Sequence, residues 1–489
     1  MTAMKELVKG VDRYKHYIGG QWVESTVKEW IDVENPATEE IIASVPNGSA
    51  DDADRALVAA RAAQPAWEAI PPASRGQLLK DLARLILENR ERLARIVVSE
   101  QGKPIHEARG EIEGAALYLT YAAEEARRIT GDIIPSDMPD EQVWIQRVAH
   151  GVVVGLTAWN YPAALMCRKM GPALVAGNTI VIKSHEGTPI SALEIAQLSS
   201  QADFPPGVIN VVSGTGEGIG AALVRHPIPR LITLTGSVRA GKEIFRSAAD
   251  DLKLLRLELG GKAPFIVAED ADIGAAVRAA VVSRFENCGQ ICICNERMYV
   301  HRRVVDEFTE RFVHAVKALK VGDPTTMVDV GPKFSGMELD KVERMVAQAR
   351  NDGAELLIGG GRPSGEGFAR GHWFEPTVMS VTDNQLKIMQ DEIFGPVVPI
   401  MTVSDFDEGL RLANESRYGL SAYVFTKDLR RMMRLVRELK FGEIYVNRPG
   451  GDAVHAHHGG LRDSGIGGED GKYGLDAYFQ KKTLYINYA

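Results

Sequence analysis

Gly151-Val-Val-Val-Gly-Leu-Thr-Ala-Trp-Asn-Tyr-Pro162 opens on a short apolar run, Val152 to Leu156, and leaves it through a segment that ends in proline. Apolar runs of this length between turn signals read as buried strands. The texture returns at Thr179 to Ile182, Val208 to Val212 and Leu231 to Leu234, separated by helix-like stretches such as Ser191 to Leu198. This β/α alternation predicts a parallel sheet. A second alternating series follows Gly260, with Pro264 to Val267, the helix-like Ile273 to Arg284, Met298 to His301 and the helix-like Val304 to Leu319. A second α/β domain is the simplest reading.

Upstream, Asp51 to Trp67, Ala73 to Ile96 and Ile105 to Ile129 carry apolar residues at helical intervals, for example Leu78, Leu82, Leu85 and Ile86, and read as amphipathic helices. Asp132 to Arg147, broken by Pro135 and Pro139, is a poor helix, and Thr483 to Tyr488 looks like an isolated strand. Both are candidate interaction arms. A chain of 489 residues exceeds what one core usually organises, and 45% hydrophobic with 25% charged residues is an ordinary globular composition. The net charge of −8 and the lack of a dense Lys/Arg block argue against a nucleic-acid partner. The first twenty residues, with Lys5, Asp12, Arg13 and Lys15, contain no apolar core of a secretory signal. No apolar run approaches the roughly 20 residues of a membrane-spanning helix. The expectation is a soluble, cytoplasmic protein with no membrane partner.

Of four cysteines, Cys288, Cys292 and Cys294 crowd into one short stretch, a spacing unsuited to a disulfide framework. The run Phe285-Glu-Asn-Cys-Gly-Gln-Ile-Cys292 sets a cysteine after a Gly-Gln turn at the end of a helix, where a thiol can face a cleft. Cytosolic cysteines are more often buried small hydrophobes. A zinc site is disfavoured, because Cys-x3-Cys-x-Cys without histidine lacks the paired spacing of common structural sites, and no metal is expected. Two further stretches change the balance. Leu257-Glu258-Leu259-Gly260-Gly261-Lys262 puts a carboxylate beside a double glycine, and Thr157-Ala158-Trp159-Asn160 puts an amide at the end of a strand, where α/β folds place their sites.

Together these stretches resemble the motifs of the aldehyde dehydrogenase superfamily, and the resemblance runs from Tyr17-Ile-Gly-Gly-Gln-Trp22 and Asn35-Pro-Ala-Thr38 to the C-terminal strand. It implies a Rossmann-type cofactor domain over residues 1–131 and 151–257, and an α/β catalytic domain over 258–450. Residues 132–150 and 451–489 would supply a small β oligomerisation arm and C-terminal segment. The resemblance further implies that the Cys292 thiolate attacks an aldehyde while the Asn160 amide and the Cys292 N–H hold the oxyanion. The thiohemiacetal then loses hydride to nicotinamide, and Glu258 activates the water that hydrolyses the thioester. A relative lacking this carboxylate would favour transfer to coenzyme A.

For the cofactor, Gly236-Ser237-Val-Arg-Ala-Gly241 follows a strand and opens a helix, so backbone N–H groups can face a pyrophosphate. Alone, Gly-x4-Gly is an ordinary strand-to-helix turn. By resemblance, Lys183 and Glu186 contact the adenosine ribose, and a carboxylate there repels a 2′-phosphate, so NAD is expected over NADP. Trp159 belongs to the same cofactor set, Glu392 is expected on the nicotinamide ribose and Phe394 beside the ring. Ala158 and Ser184-His185 depart from the usual family residues and leave the reacting groups intact.

Cys167-Arg-Lys-Met170, Phe441 to Asn447 and His457 to Arg462 look like the branch acting on lactaldehyde, glycolaldehyde and glyceraldehyde. Arg168, about two helical turns past Asn160, could face the cleft and bind a substrate oxygen, or form a salt bridge instead. His458 could act likewise, or be loop surface. Ile293 stands where that branch can carry a polar amide, which leaves room for a sugar-derived aldehyde. A carboxylated semialdehyde, a coenzyme A-acylating enzyme and a catalytically retired relative are the alternatives. The family resemblance also implies a dimer or tetramer in which the two arm segments pair across subunits. Cys288 and Cys294 lie close enough to Cys292 for a disulfide on oxidation.

Overall fold

The computed structural model describes residues 3–8, 10–451 and 453–489. At its centre lies an eight-stranded sheet in the order Gly465–Ile466, Leu254–Glu258, Leu231–Thr235, Val152–Leu156, Thr179–Lys183, Ile209–Val212, His16–Ile18, Gln21–Val23. The five strands from Leu254–Glu258 to Ile209–Val212 are parallel, and antiparallel strands close both edges. Val152–Leu156 and Thr179–Lys183 are buried at every residue, which is why they read as unbroken apolar runs. The chain moves from Val152–Leu156 to one side and then returns on its other side at Leu231–Thr235. This reversal opens a crevice at the carboxyl ends of the strands.

A second, seven-stranded sheet has the order Glu355–Ile358, Thr377–Val381, Val397–Val403, Asn295–His301, Ala263–Val267, Ser421–Phe425, Glu443–Val446. All but Glu355–Ile358 run parallel to their neighbours. The chain passes between the sheets at Leu259 to Lys262, so Glu258 is the last residue of a strand in one sheet and Ala263 the first of a strand in the other. These are the two α/β units that the alternation predicted. No helix among the described residues is long and apolar enough to cross a membrane.

Two local expectations are corrected. The predicted helix Ala73 to Ile96 is two helices, Pro72–Glu88 and Arg90–Gln101, because Asn89 leaves helical geometry at φ −99°, ψ 12°. Leu82 and Ile86 before the break and Leu93 and Val97 after it are all buried, so apolar spacing continues across a bend that periodicity alone does not register. The C-terminal strand is not isolated either. Phe479–Asn487 pairs antiparallel along its whole length with Glu141–Ala149 of the same chain, which in turn pairs with Asp132–Pro135. The two outer strands of this three-stranded sheet remain edges.

Candidate active site

The segment carrying Cys292 is built by backbone conformation. After the helix Ile273–Phe285, Asn287, Cys288 and Gly289 all adopt left-handed φ, at 48°, 56° and 70°, and turn the chain sharply. Only glycine fits at 289, where a Cβ would lie 2.4 Å from the Gly395 carbonyl oxygen. The buried Arg284 then closes the loop, donating at 2.7 Å to the carbonyls of both Gly289 and Asn295. Inside this clasp Cys292 is half-buried, whereas Cys167, Cys288 and Cys294 are buried. Burial pushes the Cys288 and Cys294 thiols up to about 12, which keeps them protonated and makes them poor partners for an oxidised Cys292.

Asn160 reaches this loop from the end of the strand Val152–Leu156. Its side-chain amide donates at 2.9 Å to the carbonyl of Gln290, two positions before the cysteine. Its own carbonyl receives Lys103 Nζ at 2.8 Å and Asn287 Nδ2 at 3.1 Å. Lys103 is fully buried and paired at 2.6 Å with the equally buried Glu111, whose other oxygen accepts from Ala163 N at 2.9 Å at the start of the following helix. Sequence reading missed Lys103, Glu111 and Asn287. The one available signal was a lysine flanked by Gly102 and Pro104 just after an amphipathic helix.

Glu258 is 3% exposed, and among the described residues neither carboxylate oxygen finds a hydrogen-bond partner. Burial pushes its carboxyl up to about 8, with the neighbouring His458 pulling the other way. His458, itself 2% exposed, bridges two acids: Nδ1 lies 2.8 Å from Glu443 Oε1 and Nε2 lies 3.5 Å from Glu258 Oε2. Arg168 is on the helix Pro162–Val175 as expected, and its guanidinium is gripped by Asp470 and, at 3.3 Å, by Glu469. The next residue, Lys169, pairs at 2.6 Å with Glu469. The double glycine after Glu258 has a steric reason. A Cβ on Gly261 would sit 2.2 Å from the Cys292 carbonyl oxygen, and one on Gly260 would sit 2.7 Å from a Glu392 carboxylate oxygen. The turn after Glu258 and the loop that carries Cys292 therefore touch backbone to backbone. Lys262, in the same motif, is structural and pairs at 3.0 Å with Glu296.

Of the other expected cofactor residues, Ser237 and Glu392 share one cleft. Ser237 caps the helix Val238–Ala248 by accepting from Ala240 N. The cleft at that helix start is lined by Ser237, Arg239, Lys242, Lys341, Asp391, Glu392 and Arg417, in which four cations outnumber two acids at a helix N-terminus, a setting that suits a pyrophosphate. Lys183 and Glu186 form an ion pair of 2.8 Å. Glu392 accepts from Gly261 N at 2.6 Å, and Phe394, at φ 52°, is fixed through its N–H donating to Glu296 at 2.7 Å. Trp159 stacks on Phe334 at 4.4 Å and meets Phe394 edge-on at 5.3 Å, which makes an aromatic wall. The arrangement offers a presented thiol, an amide beside it, a buried carboxylate across a glycine turn and a basic cleft for an anionic dinucleotide.

The chain is similar to known proteins along nearly its whole length. The sequence model of the "Aldehyde dehydrogenase family" matches residues 22–484. The 3,6-anhydro-alpha-L-galactose dehydrogenase of Vibrio sp. (strain EJY3) is 46% identical over 477 residues, covering 97% of this chain and 99% of that protein. The lactaldehyde dehydrogenase of Escherichia coli (strain K12) is 41% identical, covering 96% and 98% respectively. A solved 3,6-anhydro-L-galactose dehydrogenase matches with a TM-score of 0.96 at 46% identity, over 97% of this chain and 100% of that one. A betaine aldehyde dehydrogenase from Staphylococcus aureus, solved in complex with NAD+, matches with a TM-score of 0.95 at 35% identity, over 97% and 95%.

Proposed function

The chain belongs to the aldehyde dehydrogenase family and oxidises an aldehyde to a carboxylic acid with NAD(P), and on that premise we propose that Cys292 is its nucleophile, Asn160 its oxyanion donor and Glu258 its general base. The observation that carries this is the direct backbone contact between Gly261 and Cys292, which couples the base's turn to the nucleophile's loop. Cys292 adds to the aldehyde carbon, and the oxygen takes the negative charge between the Asn160 amide and the Cys292 N–H. When bound, NAD(P) supplies the acceptor for the hydride that leaves this carbon, so that a thioester remains on Cys292. Glu258 then takes a proton from water as its oxygen attacks the thioester, the C–S bond breaks and the acid departs.

For the cofactor, Ser237, Gly236 and Gly241 serve the pyrophosphate, Lys183 and Glu186 the adenosine ribose, Glu392 the nicotinamide ribose, and Trp159 and Phe394 the ring. Glu186 at the ribose makes NAD the preferred form. Comparing kcat/KM for NAD and NADP in the wild type and Glu186→Gln tests this; a wild-type preference for NADP would overturn it. Residues 1–131 with 151–257 form the cofactor half in this reading, and 258–450 the catalytic half.

The substrate we assign is a short 2-hydroxy aldehyde, the class acted on by the branch that the sequence around Arg168 and His458 resembles. A second reading, a sugar-derived aldehyde, is favoured by the apolar Ile293 next to the nucleophile and by the relative at 46% identity. NADH formation across glycolaldehyde, lactaldehyde, glyceraldehyde, succinic semialdehyde, betaine aldehyde and an anhydro sugar aldehyde separates them. Best turnover of the small hydroxy aldehydes supports the first reading, and best turnover of the sugar aldehyde the second. Dependence on coenzyme A would displace both, a result that the presence of Glu258 argues against. The protein works in the cytoplasm in this reading, where a reactive thiol stays reduced. It does so as a homo-oligomer, dimer or tetramer, joined through the open edges of the arm sheet at Asp132–Pro135 and Phe479–Asn487.

A further inference from the structure

His458 lies on an irregular C-terminal stretch, yet it is among the most tightly held side chains of the site. Its main chain exchanges two hydrogen bonds with Glu469, at 3.0 and 2.6 Å, forming an isolated antiparallel bridge. Glu469 is anchored in turn by Lys169 and by Thr233 of the central sheet. The ring is fixed from the opposite side, where Glu443 Oε1, on the edge strand of the second sheet, lies 2.8 Å from Nδ1. Nε2 then lies 3.5 Å from Glu258 Oε2, a carboxylate oxygen with no hydrogen-bond partner among the described residues.

We propose that His458, held by Glu443, is a positioning residue for the general base: it favours the ionised form of Glu258 and orients it for the hydrolysis of the thioester. An imidazole between two carboxylates donates to both only when it carries both protons. Glu443 therefore favours the imidazolium, and the imidazolium favours the Glu258 carboxylate. Without it, the buried carboxyl would hold its proton to still higher pH, and a protonated carboxyl cannot accept one from water. Other charges bear on the pair. Arg168 and Lys169 favour an ionised Glu258 and Glu469 opposes it. Asp470, gripped by Arg168, and His457, the neighbouring ring, face His458. Arg168 and Lys169 are each neutralised by a direct acidic partner, which leaves His458 as the cation nearest the base.

The inference rests on the assignment of Glu258 as base, and on hydride loss preceding hydrolysis. Weak basic help therefore slows only the second stage, and NADH from the first stage appears as a burst. The test compares wild type, Glu258→Gln, His458→Gln and Glu443→Gln on the aldehyde that the wild type turns over best, by rapid-mixing NADH formation and by kcat against pH. Glu443→Gln lies one residue removed from the base, so it guards against a His458 variant that folds poorly. The expected result for His458→Gln is a burst of about one NADH per subunit followed by a kcat lowered roughly 10- to 100-fold, with KM little changed. The acid limb of kcat moves to higher pH in both variants, and further in His458→Gln. A raised KM with an unmoved limb and no burst would make His458 a substrate contact and overturn the proposal. If Glu258→Gln itself gave no burst and kept wild-type turnover, the base assignment would fall first, and this inference with it.

Discussion

The Asn160 side-chain amide is parked at 2.9 Å on the carbonyl of Gln290, a residue of the loop that presents Cys292. An amide nitrogen carries two hydrogens, so one registers the loop while the second remains for the oxyanion role we propose. Asn160→Ala should lower kcat by about 10²–10³-fold. Asn160→Asp, nearly the same shape, should do worse still, because a carboxylate there repels the charge it would need to stabilise. Steady-state kinetics on both variants checks the order; equal activity of the two would remove charge from the argument.

Lys103 acts one step behind Asn160. Its ammonium holds the Asn160 carbonyl and pairs with Glu111 in a fully buried ion pair. Lys103→Met leaves Glu111 as an uncompensated buried acid, which typically costs about 3–5 kcal/mol. We expect a lower melting temperature together with a fall in kcat. Lys103→Met combined with Glu111→Leu should recover most of the stability and little of the rate, since the Asn160 carbonyl remains unheld. Thermal denaturation and kinetics of the single and double variants separate the two effects.

The pH profile follows from Glu258. Its carboxyl is pushed up to about 8 by burial, and a general base works only when ionised. Activity limited by hydrolysis should therefore be full above this value and fall as pH drops through it. A kcat that stays level down to neutral pH would show that hydrolysis is not the slow step, or that another group is the base.

Thiol chemistry should be confined to one residue. Burial raises the Cys167, Cys288 and Cys294 thiols, and only Cys292 has appreciable exposure. Brief treatment of the native protein with iodoacetamide should label one site per chain, mapped by mass spectrometry to Cys292, and abolish activity in proportion. A Cys288–Cys294 or Cys288–Cys292 disulfide after mild peroxide would contradict the burial argument.

The parallel sheets were legible because every residue of strands such as Thr179–Lys183 is buried, and such strands are unbroken apolar runs in sequence. Asn160, Glu258 and Cys292 were legible as motifs tied to a family resemblance. The bend at Asn89 was not, because both helices bury one continuous apolar face against the same core. Nor was the clasp of Arg284, whose partners Gly289 and Asn295 are backbone carbonyls and leave no mark in a residue pattern. The bridge from Glu443 through His458 to Glu258 joins residues of two sheets and a C-terminal loop, so only the folded chain brings them into reach. For Arg168 the sequence left two roles open, and the structure supplies a salt bridge to Asp470.

The backbone contact between Gly261 and Cys292 bears on how the protein can be re-engineered. Because no side chain separates the turn after Glu258 from the Cys292 loop, this seam has no slack to absorb a substitution. Ile293, by contrast, is partly exposed beside the proposed nucleophile, and its place in the loop is held through its carbonyl, which accepts from Ser421 and Tyr423, rather than through its side chain. A library aimed at new substrates should therefore vary position 293 and its surroundings, and leave the seam as it stands.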